Sequence, residues 1–257
     1  MQPDKEGKVI DTPRETRVLE AVVSLVDNVL DDFDVVDLLT ELTERCADLL
    51  DIAAAGFLLA DPLGQLRLLA ATSTQTRELE LFQLQVDEGP CVECYATGHP
   101  VSVADLRAAT ARWPRFVPAA LEAGVASVHA VPMRAAGIVL GSLGLFGSRP
   151  GELNEADLLV GQTLAHVACV AILQESAPTP STVIPQLRSA LIQRVVVEQA
   201  EGFLRERFDI SVDEAFTLLR RYARTHGDHL SDVARQLMAD PSSRPALLEK
   251  MNQLVHG

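Results

Sequence analysis

From Arg14 to Leu30 the apolar residues Val18, Leu19, Val22, Leu25, Val26 and Val29 recur at helical spacing, with Glu15, Glu20 and Asp27 on other faces. This predicts an amphipathic helix. A second helix is predicted from Asp34 through Leu50, carried by Val35, Leu38, Leu39, Leu42 and Leu49. The period then shortens. Ala53–Ala60 and Gln65–Ala71 are short apolar runs split by Asp61-Pro62-Leu63-Gly64, whose Pro and Gly mark a turn between two strands. A helix around Gln75–Leu84 leads into a strand-loop-helix region over Gln85–Thr97, followed by a short strand at Val101–Val103 and a helix after Pro114. Ala126–Met133 and Ile138–Phe146 read as paired strands joined by Arg134-Ala-Ala-Gly137, where glycine can take positive φ. A last helix of this region runs from about Asn154 to Leu173. The sum is an antiparallel sheet flanked by helices, an α+β domain.

Pro178, Pro180 and Pro185, with Ser and Thr between them, mark a linker, since proline is disfavoured inside helices. Beyond it every segment has helical period. Leu187–Phe208 forms one long helix, and Ser211-Val-Asp-Glu214 is a capping box opening a second, to about Arg224. Asp228 can cap a third, with Leu230, Val233, Ala234, Leu237 and Met238 on one face, before Asp240-Pro241 stops it. Leu247, Leu248, Met251, Leu254 and Val255 suit a short fourth. The resulting divisions are an N-terminal amphipathic helix (1–32), the α+β domain (33–174), a linker (175–185), an all-α three-helix domain (186–240) and a C-terminal tail (241–257).

Charge changes the picture. The chain of 257 residues carries a net −14, which argues against a nucleic-acid partner if spread evenly. It is not spread evenly. Residues 1–180 hold 12 basic and 26 acidic side chains, whereas residues 181–257 hold 10 of each. The polar N-terminus, with no uninterrupted apolar stretch near the ~18 residues of a membrane span, predicts a soluble, cytoplasmic protein without membrane contact. Cys46, Cys91, Cys94 and Cys169 are few and sit among apolar neighbours, as suits a reducing compartment. Cys91-Val-Glu-Cys94 has no second pair, so two buried thiols are expected and no metal site. Motifs of nucleophile elbows, zinc peptidases and phosphate loops are absent, and no catalytic residue is predicted.

The segment Arg194-Val-Val-Val-Glu-Gln-Ala-Glu-Gly-Phe-Leu-Arg-Glu-Arg207, followed by Ser211–Arg224 and Leu230-Ser-Asp-Val-Ala234, resembles the ANTAR domain. That family is a three-helix RNA-binding module of bacterial transcription antitermination regulators. Gly89-Pro-Cys91, Gly98-His-Pro-Val-Ser-Val-Ala-Asp-Leu106 and Val128-His-Ala-Val-Pro-Met133 with Gly137–Phe146 resemble a GAF domain. The order GAF then ANTAR occurs in actinobacterial regulators. The resemblance implies a GAF sensor controlling an output that binds paired stem-loops of nascent mRNA, as a homodimer, and so touches the transcription machinery indirectly. A small-molecule ligand in the GAF domain is also implied, its identity unspecified.

The residues add detail. Leu187, Leu191 and Val195 form an early apolar stripe suited to a partner chain, and Ile192, Val196, Val197, Ala200, Phe203 and Leu204 a later arc suited to the domain's own core. Arg194, Glu198, Glu201 and Arg205 are expected as one exposed stripe with pairing at i, i+4. Arg220, Arg221 and Arg224 gather on the polar side of the next helix as a patch for phosphates or bases. Arg194, Arg205, Arg220, Arg221 and Arg224 are therefore the candidate RNA contacts, while Tyr222 falls on the apolar arc. The family pattern has Lys where this chain has Glu201, a change of two charge units. It motivates a second reading, a dimeric small-molecule sensor or protein-interaction module whose ANTAR domain no longer binds RNA. Cys91, Cys94, Val103, Trp113, Phe116 and His129 are the candidates to line a ligand pocket over the sheet; the apolar strand around His129 equally suits a core histidine.

Overall fold

The structure, a computed structural model, describes residues 14–30, 33–173, 180–239, 242 and 244–256. Residues 1–13, the first part of the predicted linker and the Asp240-Pro241 stop lie outside the described residues.

Helices α1 (Arg14–Leu30) and α2 (Val35–Leu50) open the chain, and Asp34 caps α2 by accepting from the N–H groups of Val36 and Asp37. Strands β1 (Ala54–Ala60) and β2 (Leu66–Ala71) follow, then helices α3 (Thr74–Val86) and α4 (Pro90–Thr97). The strand expected within 85–97 is not formed. Val86 is buried on the last turn of α3; Asp87 ends that helix at φ 56°, and Gly89 turns the chain at φ 136° so that Pro90 can start α4. Strand β3 (Val101–Val103), a short 3₁₀ turn, α5 (Phe116–Glu122), β4 (Ser127–Ala135), β5 (Ile138–Gly147) and α6 (Glu155–Leu173) complete the domain. Between β4 and β5 both Ala136 (φ 50°) and Gly137 (φ 77°) are left-handed, the twist a tight hairpin needs.

The five strands pair antiparallel in the order β2-β1-β5-β4-β3. One face is covered by α3, α4 and α5, with Leu58, Cys91, Trp113, Phe116, Val128 and Phe146 in a single apolar cluster. The other is covered by α2 and α6 through residues such as Leu39, Leu42, Leu59, Leu143, Leu164 and Ala168. Among the described residues only α6 is long and apolar enough to cross a membrane by length and composition; here half of that stretch is buried in the core.

The predicted proline linker is shorter than expected. Helix α7 runs from Pro180 to Phe208 and takes Pro185 into its interior. Pro180 is the first helical residue and loses nothing, while Pro185 gives up one backbone hydrogen bond. The packing of Leu187 and Ala190, and a 3.1 Å bond from Gln186 Nε2 to the Leu173 carbonyl, hold the helix there. Helices α8 (Val212–His226), α9 (Leu230–Ala239) and α10 (Arg244–His256) follow. Val197, Ala200, Leu204, Leu219 and Leu237 form the core of this C-terminal domain, continuous with the α2–α6 core. The two domains thus share one apolar seam.

Candidate nucleic-acid interface

The predicted capping box at the start of α8 is formed: Ser211 Oγ accepts from the Glu214 N–H, and the Glu214 carboxylate accepts from the Ser211 N–H at 2.8 Å. Ala215, Leu218, Leu219, Tyr222 and Ala223 face the core, and Tyr222 stacks on His226 at 4.0 Å. The arginines are set on the remaining sides, but not as one open patch. Arg220 and Arg224, one turn apart, point at α2, whose Asp37, Glu41 and Glu44 stand at i, i+4 and i+7 on a single face. Arg220 donates from Nε to Asp37 and from Nη1 to Glu44 Oε1 at 2.7 Å. Its side chain keeps 13% exposure. Burial works against its charge, yet Asp37 and Glu44 outweigh that and hold its pKa above the ordinary value. Arg224 lies 3.2 Å from Asp37 Oδ2 and 3.6 Å from Glu41. Arg221 turns away and donates to the Leu254 carbonyl at the end of the chain.

On α7 the expected exposed stripe is broken. Arg194 and Glu201 are buried, to 7% and 3% exposure, and Glu198 is partly so. The part of this stripe at Arg194 and Glu201 faces the N-terminal domain. Arg77 of α3 reaches across, its Nη2 2.5 Å from Glu198 and its Nη1 3.3 Å from Glu201. Arg194 pairs with the same two acids at 3.1 and 3.6 Å. The i, i+4 pairing of Arg194 with Glu198 is as predicted, whereas Glu201 faces Arg77 and Arg194 rather than Arg205. Desolvation raises the Glu201 pKa, with Arg194 and then Arg77 opposing it, and one of its oxygens, Oε1, has no hydrogen bond. Arg205 is exposed on the last turn of α7.

Further contacts tie the domains together. Asp34 Oδ2 accepts from the Ser231 N–H at the start of α9, and Thr74 donates to Asp213 at 2.7 Å. A cavity of about 230 Å³ remains in the seam between Thr72, Arg77, Glu201, Asp213 and Phe216.

The early apolar stripe of α7 also divides: Leu187 is buried, while Ile192, placed by sequence in the core arc, is 52% exposed beside Val195 at 50%. In the N-terminal domain, Cys91, Trp113 and Phe116 belong to one buried apolar cluster, with Val103 partly buried against it and the Trp113 and Phe116 rings edge-on at 6.1 Å. His129 does not join them. It lies on the opposite face of β4, buried, with Nδ1 against Ser102 Oγ. Burial pushes the thiols of Cys91 and Cys94 up, that of Cys94 to about 12, so both are protonated at neutral pH.

Sequence reasoning missed two sets of residues. The acidic row Asp37, Glu41, Glu44 was legible from its spacing; Arg77 carried no signal. Nor did Glu80, which is fully buried beside Gln83 and Cys91 over the facing pair Gly56 and Gly144. A Cβ at either glycine would fall 2.7 Å from the Glu80 carboxylate.

Family models agree with this division. The model of the GAF domain matches residues 34–173, more than half of the chain, and that of the ANTAR domain matches residues 185–238. The chain belongs to the GAF family and carries an ANTAR domain behind the GAF domain. No curated protein matches it. Among solved structures it is similar to GAF domains of phosphoenolpyruvate-protein phosphotransferases from Coxiella burnetii (17% identity, TM-score 0.49, 63% of this chain and 95% of that one) and Acinetobacter (17%, 0.47, 60% and 92%). It is also similar to free methionine-R-sulfoxide reductase from Neisseria meningitidis (19%, 0.48, 70% and 95%). The chain is a regulator of the ANTAR type, with Arg220 and Arg224 of its ANTAR domain held by the GAF domain.

Proposed function

We infer that the chain is an RNA-binding transcription antitermination regulator: its ANTAR domain, as a homodimer, binds paired stem-loops in nascent mRNA under control of the GAF domain. The reading places it in the cytoplasm, with RNA as partner and no membrane contact. The ANTAR match over 185–238 carries it. The basic groups of α8 support it, because guanidinium groups bind phosphate bidentately and stack on bases. So does the burial of Glu201. The Lys-to-Glu departure favoured loss of RNA binding on the premise that a phosphate would meet Glu201 at the surface, but at 3% exposure its charge is turned to Arg77 and Arg194.

The test is titration of the full chain with an RNA carrying two adjacent hairpins, across a range of salt. Binding should weaken linearly in log–log form as salt rises, and reversal of Arg205, Arg220, Arg221 and Arg224 together should abolish it. Salt-insensitive binding, or none by the wild type and by variants with opened domains, would contradict the assignment and leave the dimeric sensor reading in its place.

A further inference from the structure

We propose that the GAF domain and RNA compete for Arg220 and Arg224 of the ANTAR domain, and that Arg77 and Glu201 form the latch that keeps these arginines paired with α2. The proposal rests on the RNA-binding reading and adds its regulation.

The observations converge on the seam. Asp37, Glu41 and Glu44 offer carboxylates at successive turns of α2, and Arg220 and Arg224 meet them as they would meet backbone phosphates. A phosphate cannot reach Arg220 while Asp37 and Glu44 hold it. The acidic surplus of the chain, confined to the part before residue 181, thereby gains a local role as an intramolecular stand-in for the nucleic acid.

Glu201 explains how the cover is retained. The groups facing it are Arg77 from α3 and Arg194 and Glu198 from α7. A lysine in place of Glu201 would join Arg77 and Arg194 as a third cation around a single carboxylate, that of Glu198. With glutamate, two cations meet two anions and the GAF helix is drawn onto the ANTAR helix. Glu201 and Glu198 are therefore attachment points for Arg77.

The exchange of one arginine contact for another needs no covalent step. Opening separates Arg77 from Glu198 and Glu201, releases Arg220 and Arg224 from α2, and frees them for RNA.

The experiment is a charge-swap cycle in the full chain with two readouts: compactness by small-angle X-ray scattering, with amide exchange in α2 and α8, and affinity for the paired-hairpin RNA. Glu201→Lys should enlarge the radius of gyration, speed exchange in α2 and α8, and tighten RNA binding about tenfold or more. Arg77→Glu combined with Glu201→Lys should restore both toward wild type. Because a lysine in this buried place can also impair folding, Asp37→Asn with Glu44→Gln opens the seam from the exposed side and should likewise raise RNA affinity. Unchanged compactness and exchange in Glu201→Lys and in Asp37→Asn/Glu44→Gln would overturn the latch, whatever RNA does. Opened chains that bind RNA no better than the wild type would overturn the competition. Opened chains that bind no RNA at all would overturn the RNA reading while leaving the domain closure intact.

Discussion

Asp34 and Ser231, 197 positions apart, are joined by a 2.7 Å hydrogen bond from the Ser231 N–H to Asp34 Oδ2. The other oxygen of the same carboxylate accepts from Val36 at 2.9 Å and Asp37 at 3.1 Å. One buried side chain thus caps α2 of the GAF domain and the first turn of α9 in the ANTAR domain, satisfying N–H groups that a helix start leaves without partners.

Asp34→Asn separates the two roles. Its remaining carbonyl oxygen can still cap α2, but the amide group offered to Ser231 is a donor facing a donor. We expect a loss of about 1–3 kcal/mol in thermal or denaturant unfolding, with faster exchange at the start of α9. Asp34→Ala should lose both caps and destabilise the chain further.

Glu80 sets a pH dependence. Burial raises its pKa from the ordinary 4.5 to about 8, with Gln83 and Cys91 opposing. The folded GAF domain therefore holds a proton that the unfolded chain releases above its ordinary pKa. This contribution to stability is fully present below about 4.5 and is lost as pH rises to about 8, with a slope of up to about 1.4 kcal/mol per pH unit. Denaturant titrations of the wild type over this range should show the decline, and Glu80→Gln should flatten it.

The same carboxyl needs the room left by glycines. A methyl group at Gly144 would meet Cys91 Sγ and Glu80 Oε1, each at 2.7 Å, in a fully buried site. Gly144→Ala should destabilise the chain by about 1–3 kcal/mol, the usual range for an overpacked core, whereas the open position Gly151→Ala should not. Equal melting of the two variants would show that the Glu80 cluster yields freely.

Much of this architecture was legible from periodicity. The strand pairs, the capping box at Ser211 and the helices of the ANTAR domain follow from local patterns, because turns, caps and amphipathic faces are written within a few residues. What was illegible is what one domain does to the other. Arg194 and Glu201 read as a solvent stripe on an isolated helix, and the approach of the GAF domain, Arg77 included, buries them. Pro185 reads as part of a linker, yet the packing of Leu187 and Ala190 after it holds α7 in place. His129 is a candidate for the same pocket as Cys91 and Trp113 from the likeness to a GAF domain, although strand alternation around Val128 and Ala130 places it on the other face.

Ile192 and Val195 remain about half exposed on α7, in line with Ile184 at 49%. If this row is the homodimer contact, Ile192→Asp with Val195→Asp should turn a dimer into a monomer in sedimentation while leaving the thermal unfolding of the monomer unchanged. A wild-type monomer at high concentration would remove this face from consideration.

Closure of the GAF domain onto the ANTAR domain, on this account, withholds Arg220 and Arg224 from RNA. The most direct measurement is the affinity of the full chain for a paired-hairpin RNA at fixed salt, compared among wild type, Glu201→Lys and Arg77→Glu/Glu201→Lys. Binding should be about tenfold or more tighter for the single variant and return toward wild type for the double; equal or weaker binding by Glu201→Lys in a chain shown to be open would contradict the competition.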